Sequence, residues 1–180
     1  MKTIILDRDG VINHDRDDFV KSPDEWIPIE GSLEAIARLH QAGYRIIVAT
    51  NQSGIGRGLF DASTLDAIHA KMQQAVQAEG GKISAIYFCP HTPDDHCECR
   101  KPKPGLLKQA QQDFGFTADE VCVVGDSLRD IEAGQAMGYE SFLVKTGKGE
   151  RMLSKHASAL QLVAVSNNLL GVVDFLLTRD

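Results

Sequence analysis

The sequence predicts a doubly wound α/β fold, a parallel sheet of about five to six strands with helices on both faces, and three observations carry that prediction. Short apolar runs alternate along the chain with stretches of helical periodicity. The runs are apolar throughout rather than every second residue, as strands covered on both faces require. The 180 residues, 43% hydrophobic and 24% charged, suit one domain over 1–180 with a full-sized core.

The elements follow in order. Thr3–Leu6 is a short buried strand. Leu33, Ile36, Ala37 and His40 fall at helical spacing, and Gly43 ends that helix. Arg45–Ala49, RIIVA, is the second strand. Leu65, Ile68, Met72 and Val76 mark the second helix, opened by Ser63 or Thr64 and closed by Gly80-Gly81. Ile83–Phe88 is the third strand. Pro104 starts a helix through Leu106, Leu107 and Ala110 that ends near Gly115. Val121–Asp126 is the fourth strand, Ile131–Met137 a short helix stopped by Gly138, and Ser141–Thr146 the fifth strand. A last helix covers about Asn167 to Leu177. No repeat, low-complexity segment or Ser/Pro-rich linker interrupts the pattern, and no room is left for a large cap domain.

The formal net charge of -6 gives no global basic footprint for nucleic acid. Ile4-Ile5-Leu6 is too short for a signal-peptide core and no run approaches a membrane span, so a cytoplasmic protein is expected. No helix shows a sustained second apolar face, which favours a monomer. In a reducing compartment the cluster Cys89, His91, Cys97 and Cys99 reads as metal-binding or catalytic rather than as a disulfide knot.

In open parallel sheets ligands bind beyond the carboxyl ends of the strands. Asp7 and Asp9 follow the first strand, Thr50 the second, and Asp126 and Asp130 the fourth. Any one Asp there is an ordinary turn former. Together they place several carboxylates and a hydroxyl at one edge, where a hard cation such as Mg²⁺ would relieve their repulsion. Asp7 is best placed as a carboxylate nucleophile and Asp9 as general acid. Lys101 or Lys103 could neutralise charge on a transferring phosphoryl group.

Asp7 to Val11 (DRDGV), Thr50-Asn51, Lys101 to Pro104 (KPKP) and Gly125 to Asp130 (GDSLRD) resemble, in order and spacing, the four motifs of the haloacid dehalogenase-type phosphatases. The resemblance implies Asp7 as nucleophile, Asp9 as acid/base, and Mg²⁺ on Asp7, the Asp9 backbone carbonyl and Asp126. It implies Thr50 and Lys101 on the phosphoryl oxygens, with Lys103 peripheral and Asp130 buttressing the site through hydrogen bonds. Cys89, His91, Cys97 and Cys99 form C-x-H-x₅-C-x-C, a set suited to tetrahedral Zn²⁺. It matches the zinc loop (89–99) of the branch that holds the heptose bisphosphate and histidinol-phosphate phosphatases. With four ligands the zinc would be structural and would clamp the loop presenting Arg100 and Lys101. His96, beside Cys97, is an awkward substitute ligand, and Cys122 is a small core residue.

The loop after the second strand, TNQSGIGRGLF, is similar to the heptose bisphosphate branch, with Ser53 and Arg57. Arg57 and Arg100 add positive charge where a second phosphate must be met. The expected substrate is a small sugar bisphosphate, losing the 7-phosphate of D-glycero-D-manno-heptose 1,7-bisphosphate in nucleotide-heptose and lipopolysaccharide synthesis. Asp15, Asp18, Asn51, Gln52 and Ser53 join the arginines as expected substrate contacts, and the acidic pair Asp17-Asp18 reads either as a binder of sugar hydroxyls or as a solvated turn. Histidinol phosphate is the alternative substrate, and a non-enzymatic zinc-stabilised binding module the alternative of another class. His14, His40, His69 and His156 carry no assigned role.

Overall fold

The computed structural model describes residues 1–179. The chain order is β1 (Thr3–Leu6), α1 (Ser32–Gln41), β2 (Arg45–Asn51), α2 (Ala62–Ala78), β3 (Ala85–Cys89), α3 (Gly105–Phe114), β4 (Val121–Gly125), α4 (Leu128–Ala136), β5 (Glu140–Val144), α5 (Gly149–Lys155), β6 (Ala164–Ser166) and α6 (Leu169–Arg179). The strands form one parallel sheet in the order β3-β2-β1-β4-β5-β6. The order reverses between β1 and β4, the point where such sheets open a crevice at their carboxyl edge. Leu6 pairs with Val48 on one side and Val124 on the other, so the chemistry-bearing residues after β1, β2 and β4 emerge level with one another.

Neighbouring residues on a strand point to opposite faces. Ile4, Leu6, Ile46, Val48 and Val124 therefore pack under α1, α2 and α6, through Ile36, Leu39, Ile68, Met72, Val172 and Val173. Ile5, Ile47, Ala49 and Val123 pack on the other face against Leu106, Leu107 and Ala110 of α3 and Ala133 of α4. A smaller cluster of Ile131, Leu143 and Leu160 seats the α5 region beside it. Cys122 is buried in the first of these layers, as expected of a core residue.

Some boundaries differ from the sequence expectation for local reasons. Asp61, not Ser63 or Thr64, caps α2: its side chain accepts from the Thr64 N–H at 2.8 Å. α4 begins at Leu128, three residues early, because Ser127 and Asp130 cap it reciprocally. β3 begins two residues late, at Ala85. α5 and the three-residue β6 carry no long apolar run of their own. Among the described residues, no helix is long and apolar enough to cross a membrane.

Candidate active site

Asp7 leaves β1 at the reversal point, its N–H donating to Val124 O at 2.9 Å. Its Oδ1 accepts from the Arg8 N–H at 2.8 Å and lies 3.1 Å from Lys101 Nζ. Lys101 comes from the other side of the sheet edge. It is almost wholly buried, and its ammonium also donates to Ala49 O and Asp130 Oδ1, both at 2.6 Å. Burial alone would neutralise this lysine, but the Asp130 and Asp7 carboxylates outweigh it and hold the group charged.

Asp130 spends both oxygens inside the protein. Oδ1 takes Lys101, and Oδ2 accepts from the Ser127 N–H and hydroxyl at 3.1 and 3.0 Å. One side chain thus caps α4 and anchors the lysine, the buttressing role expected of it. Asp126 is buried and accepts from the Lys148 N–H at 2.8 Å. Gly10 and Gly147, both at positive φ, close over it, and a Cβ on either would overlap its carboxylate.

Carboxylate oxygens of Asp7, Asp126 and Asp130 lie within 4.8 Å of one another. Burial and the Asp130 charge push Asp7 up to about 6, and burial and the Asp7 charge raise Asp126 well above the usual range. Since Asp130 is already committed, Asp7 and Asp126 are the pair with charge left for a cation. Oxygen-only donors at this spacing fit Mg²⁺.

Asp9 stands on the opposite wall. Arg8 Nε and Gln52 Nε2 reach its two oxygens at 3.0 and 2.9 Å, and Asn13 Nδ2 adds a bond of 2.9 Å. Burial would raise its pKa, but the Arg8 guanidinium and the Asn13 and Gln52 hydrogen bonds more than offset this and lower it. Gln52 Nε2 also donates to Thr50 Oγ1 at 2.8 Å, which leaves the Thr50 hydroxyl proton to point elsewhere.

These groups floor a cavity of about 310 Å³. Of the expected residues, Asp7, Asp9, Asp15, Asn51, Ser53, Arg57, Arg100, Lys101 and Asp126 line it. Thr50 and Gln52 are buried beneath the lining, where Gln52 bridges Asp9 and Thr50. Asp18 is a correction: its exposed carboxylate is turned outward to Arg16 and Lys21, at 3.0 and 2.9 Å, and the neighbouring Asp17 faces the cavity instead. Lys103 pairs with Glu98 at 2.7 Å on the surface, peripheral as expected.

Sequence reasoning missed Arg8, Arg129, Lys148 and Phe19. Arg129 lines the cavity beside Arg100, close enough that its charge adds to burial in lowering the Arg100 pKa. A signal existed: a cation in the first turn of α4 opposes the helix dipole and so suggests an anion nearby. Phe19, at φ 68, carries Arg57 over its ring at 5.7 Å.

Beside the cavity, Cys89 ends β3 inside the core while His91, Cys97 and Cys99 fold back over it. Cys89 Sγ lies 3.5 Å from His91 Nδ1, 3.6 Å from Cys97 Sγ and 3.0 Å from Cys99 Sγ. Cys99 Sγ lies 3.6 Å from Cys97 Sγ and 3.3 Å from His91 Nδ1. No pair approaches the ~2.05 Å of a disulfide. A tetrahedron with zinc–sulfur bonds of about 2.3 Å has edges near 3.8 Å, so three thiolates and one imidazole here fit Zn²⁺. His96, exposed and at φ 48, stands outside the cluster.

The HAD-hydrolase-like family description matches residues 98–171. The D-glycero-β-D-manno-heptose-1,7-bisphosphate 7-phosphatase of Neisseria meningitidis serogroup A is 58% identical over 160 residues, 89% of this chain and 86% of that protein. Its namesake from Pseudomonas aeruginosa is 55% identical over 152 residues, 84% of this chain and 85% of that one. The crystal structure of D,D-heptose 1,7-bisphosphate phosphatase from B. bronchiseptica, complexed with magnesium and phosphate, superposes with a TM-score of 0.97 at 49% identity and covers 100% of both chains. Identity at this level across nearly the whole length, on a shared fold, means that this chain belongs to the D-glycero-β-D-manno-heptose-1,7-bisphosphate 7-phosphatase family of HAD-like hydrolases.

Proposed function

We propose that this chain, acting as a single-domain cytoplasmic monomer, is a Mg²⁺-dependent phosphatase. It removes the 7-phosphate of D-glycero-D-manno-heptose 1,7-bisphosphate in nucleotide-heptose and lipopolysaccharide core synthesis. The observation that carries the reading is the buried Asp7–Lys101–Asp130 line at the sheet reversal, facing Asp126 and walled by Asp9.

Asp7 attacks phosphorus, and the bond to the ester oxygen breaks. Asp9 gives that oxygen a proton and later takes one from the water that hydrolyses the aspartyl-phosphate. The Thr50 hydroxyl and the Lys101 ammonium hold the phosphoryl oxygens. Asp7 and Asp126 would hold Mg²⁺, which when bound neutralises charge on the transferring group. Cys89, His91, Cys97 and Cys99 would hold a structural Zn²⁺ that fixes the segment bearing Arg100 and Lys101. Arg57, Arg100 and Arg129 have no carboxylate partner within ion-pair distance among the described residues. They supply the charge that a second phosphate needs.

The test is a side-by-side phosphate-release assay on heptose 1,7-bisphosphate (both anomers), fructose 1,6-bisphosphate and histidinol phosphate. The heptose bisphosphate is expected to have the highest kcat/KM. Preference for histidinol phosphate would overturn the substrate, and absence of turnover on every ester would overturn the enzyme.

A further inference from the structure

Arg8 is a charged side chain with no exposed surface, one residue from each carboxylate that handles the phosphoryl group. It does not line the cavity. Its fork is turned behind Asp9: Nε donates to Asp9 Oδ1 at 3.0 Å and Nη2 to Asp9 Oδ2 at 3.1 Å. Nη2 also donates to Gln52 Oε1 at 3.2 Å. Nη1 lies 3.2 Å from Nε2 of His69, a nearly buried residue on α2.

The direction of that last contact follows from chemistry. A guanidinium only donates. His69 Nε2 therefore accepts, the ring is neutral, and its proton sits on Nδ1. Burial together with the Arg8 charge holds the ring pKa down to about 3, which agrees. His69 thus closes off the far side of the guanidinium, while Asp9 and Gln52 take the near side.

We infer that Arg8, backed by His69, is a positioning residue for the proton transfers made by Asp9. This rests on the reading above that Asp9 is the general acid and base. Rotating the Asp9 carboxyl group breaks both bonds of the fork at once. Its plane is therefore fixed, and with it the direction from which an oxygen can meet the leaving group. Gln52 extends the same constraint to Thr50, so the proton donor and one phosphoryl-oxygen holder share a single support.

The chemistry provides a selective readout. In the first step a carboxylate oxygen of Asp7 bonds to phosphorus. The phosphorus–ester oxygen bond breaks, and its electron pair stays on the ester oxygen. A sugar alkoxide must then take a proton from Asp9. The Asp9 carboxylate is held ionised at rest by Arg8, Asn13 and Gln52, so it must first gain that proton, releasing one of these donors, before the ester bond breaks. A 4-nitrophenolate leaves without one. In the second step Asp9 takes a proton from water, the water oxygen bonds to phosphorus, and the Asp7–phosphorus bond breaks. The specificity constant kcat/KM reports the first step alone. A loosened Asp9 therefore slows alkyl phosphates and spares 4-nitrophenyl phosphate, whereas a merely structural loss slows both.

The experiment measures kcat/KM on heptose 1,7-bisphosphate and on 4-nitrophenyl phosphate for Arg8→Lys, Arg8→Met, His69→Leu, His69→Gln and Asp9→Asn. Arg8→Lys keeps the charge and loses the fork. It should lose about a hundredfold on the sugar phosphate and less than about fivefold on the aryl ester. His69→Leu should show the same selectivity at about tenfold, and His69→Gln, which keeps an acceptor, should recover most of it. If the Arg8 variants do not fold, by circular dichroism and melting, the two His69 variants decide alone. Equal losses on both esters, or no loss, overturn the inference. If Asp9→Asn is itself unselective, both this inference and the acid–base reading fall. If Asp9→Asn is selective while the Arg8 and His69 variants are not, only the inference falls.

Discussion

Asn51 and Lys101 hold each other by two reciprocal bonds: Asn51 Oδ1 accepts from the Lys101 N–H at 3.0 Å, and Asn51 Nδ2 donates to the Lys101 carbonyl at 3.0 Å. The pair welds the end of β2 to the chain just beyond the zinc loop. The proposed phosphoryl-binding lysine is therefore located by a backbone clamp on one side and by the cysteine cluster on the other. Asn51→Ala removes both bonds, each worth about 1 kcal/mol. We expect kcat to fall about tenfold with bound zinc unchanged. Cys99→Ala attacks the other anchor, so zinc and activity should fall together. Elemental analysis beside steady-state kinetics checks both. Activity held in a zinc-free Cys99→Ala would show that the loop does not locate the lysine.

The proposed nucleophile gives the largest expected effect. Asp7→Asn keeps the shape and loses the attacking charge, so turnover should drop by four or more orders of magnitude, about 5 kcal/mol or more in barrier. The protein should remain folded, because removing one of three crowded carboxylates relieves repulsion. Chelation of Mg²⁺ should silence the native enzyme in the same phosphate-release assay. Substantial turnover by either preparation would refute Asp7 as nucleophile or Mg²⁺ as an obligatory cofactor, respectively.

The same crowding sets a pH dependence for metal binding. Asp7 is raised by burial, and next by the Asp130 charge, from the ordinary carboxylate value of 3.8 to about 6 in the metal-free fold. A raised carboxylate pKa means that the folded state binds the extra proton between these two values. Metal-free stability therefore falls as pH rises through that window. A cation at Asp7 and Asp126 offsets the loss once the group is ionised. Mg²⁺ should thus raise the melting temperature clearly at pH 8 and little at pH 5, and its affinity should weaken as pH falls through about 6. Equal shifts at the two pH values would mean that the cation does not compete with a proton there.

What the sequence makes legible is whatever is set by position along a strand. Asp7, Thr50 and Asp126 sit at strand ends, and the switch in strand order brings them together whatever the loops do. The cysteines are legible because their spacing is itself the chemistry. Arg8 and Asp18 are not, because both are charged residues in an irregular segment. Whether such a side chain turns inward depends on distant partners. Arg8 finds Gln52 and His69, whereas Asp18 finds Arg16 and Lys21 first. His69 looks like any half-buried helical histidine until α2 docks over β1. β6 is invisible for a different reason: three residues paired at the sheet edge carry too short a pattern to read.

The outward turn of Asp18 has its own consequence. Its bonds to Arg16 and Lys21 are surface ion pairs, which contribute little to stability in water. Asp18→Ala should leave kcat/KM on heptose 1,7-bisphosphate within about twofold of the native value and the melting temperature nearly unchanged. The same assay on Asp17→Ala, whose residue faces the cavity, should show the larger change in KM. A strong loss confined to Asp18→Ala would mean that the loop reorients when substrate binds.

Arg100 and Arg129 are half-buried neighbours at the cavity wall, and burial together with the Arg129 charge lowers the Arg100 pKa. Arg100 donates only a long bond, 3.3 Å, to His91 O. Two adjacent guanidiniums without a carboxylate are stabilised by an anion between them, and a planar fork on each suits phosphate. A charge-assisted contact of this kind is worth about 1.5–3 kcal/mol, about ten- to hundredfold in kcat/KM. Arg129→Ala should therefore lose that factor on heptose 1,7-bisphosphate and little on heptose 7-phosphate, because only the first carries the distal group. Arg100→Ala should behave alike, and the double variant should lose less than the product of the two, since both serve one phosphate. Equal losses on the two substrates would assign the arginines to the transferring phosphate and remove the charge argument for specificity. A loss for Arg100→Ala with none for Arg129→Ala would leave Arg100 as the distal-phosphate contact and Arg129 as a bystander.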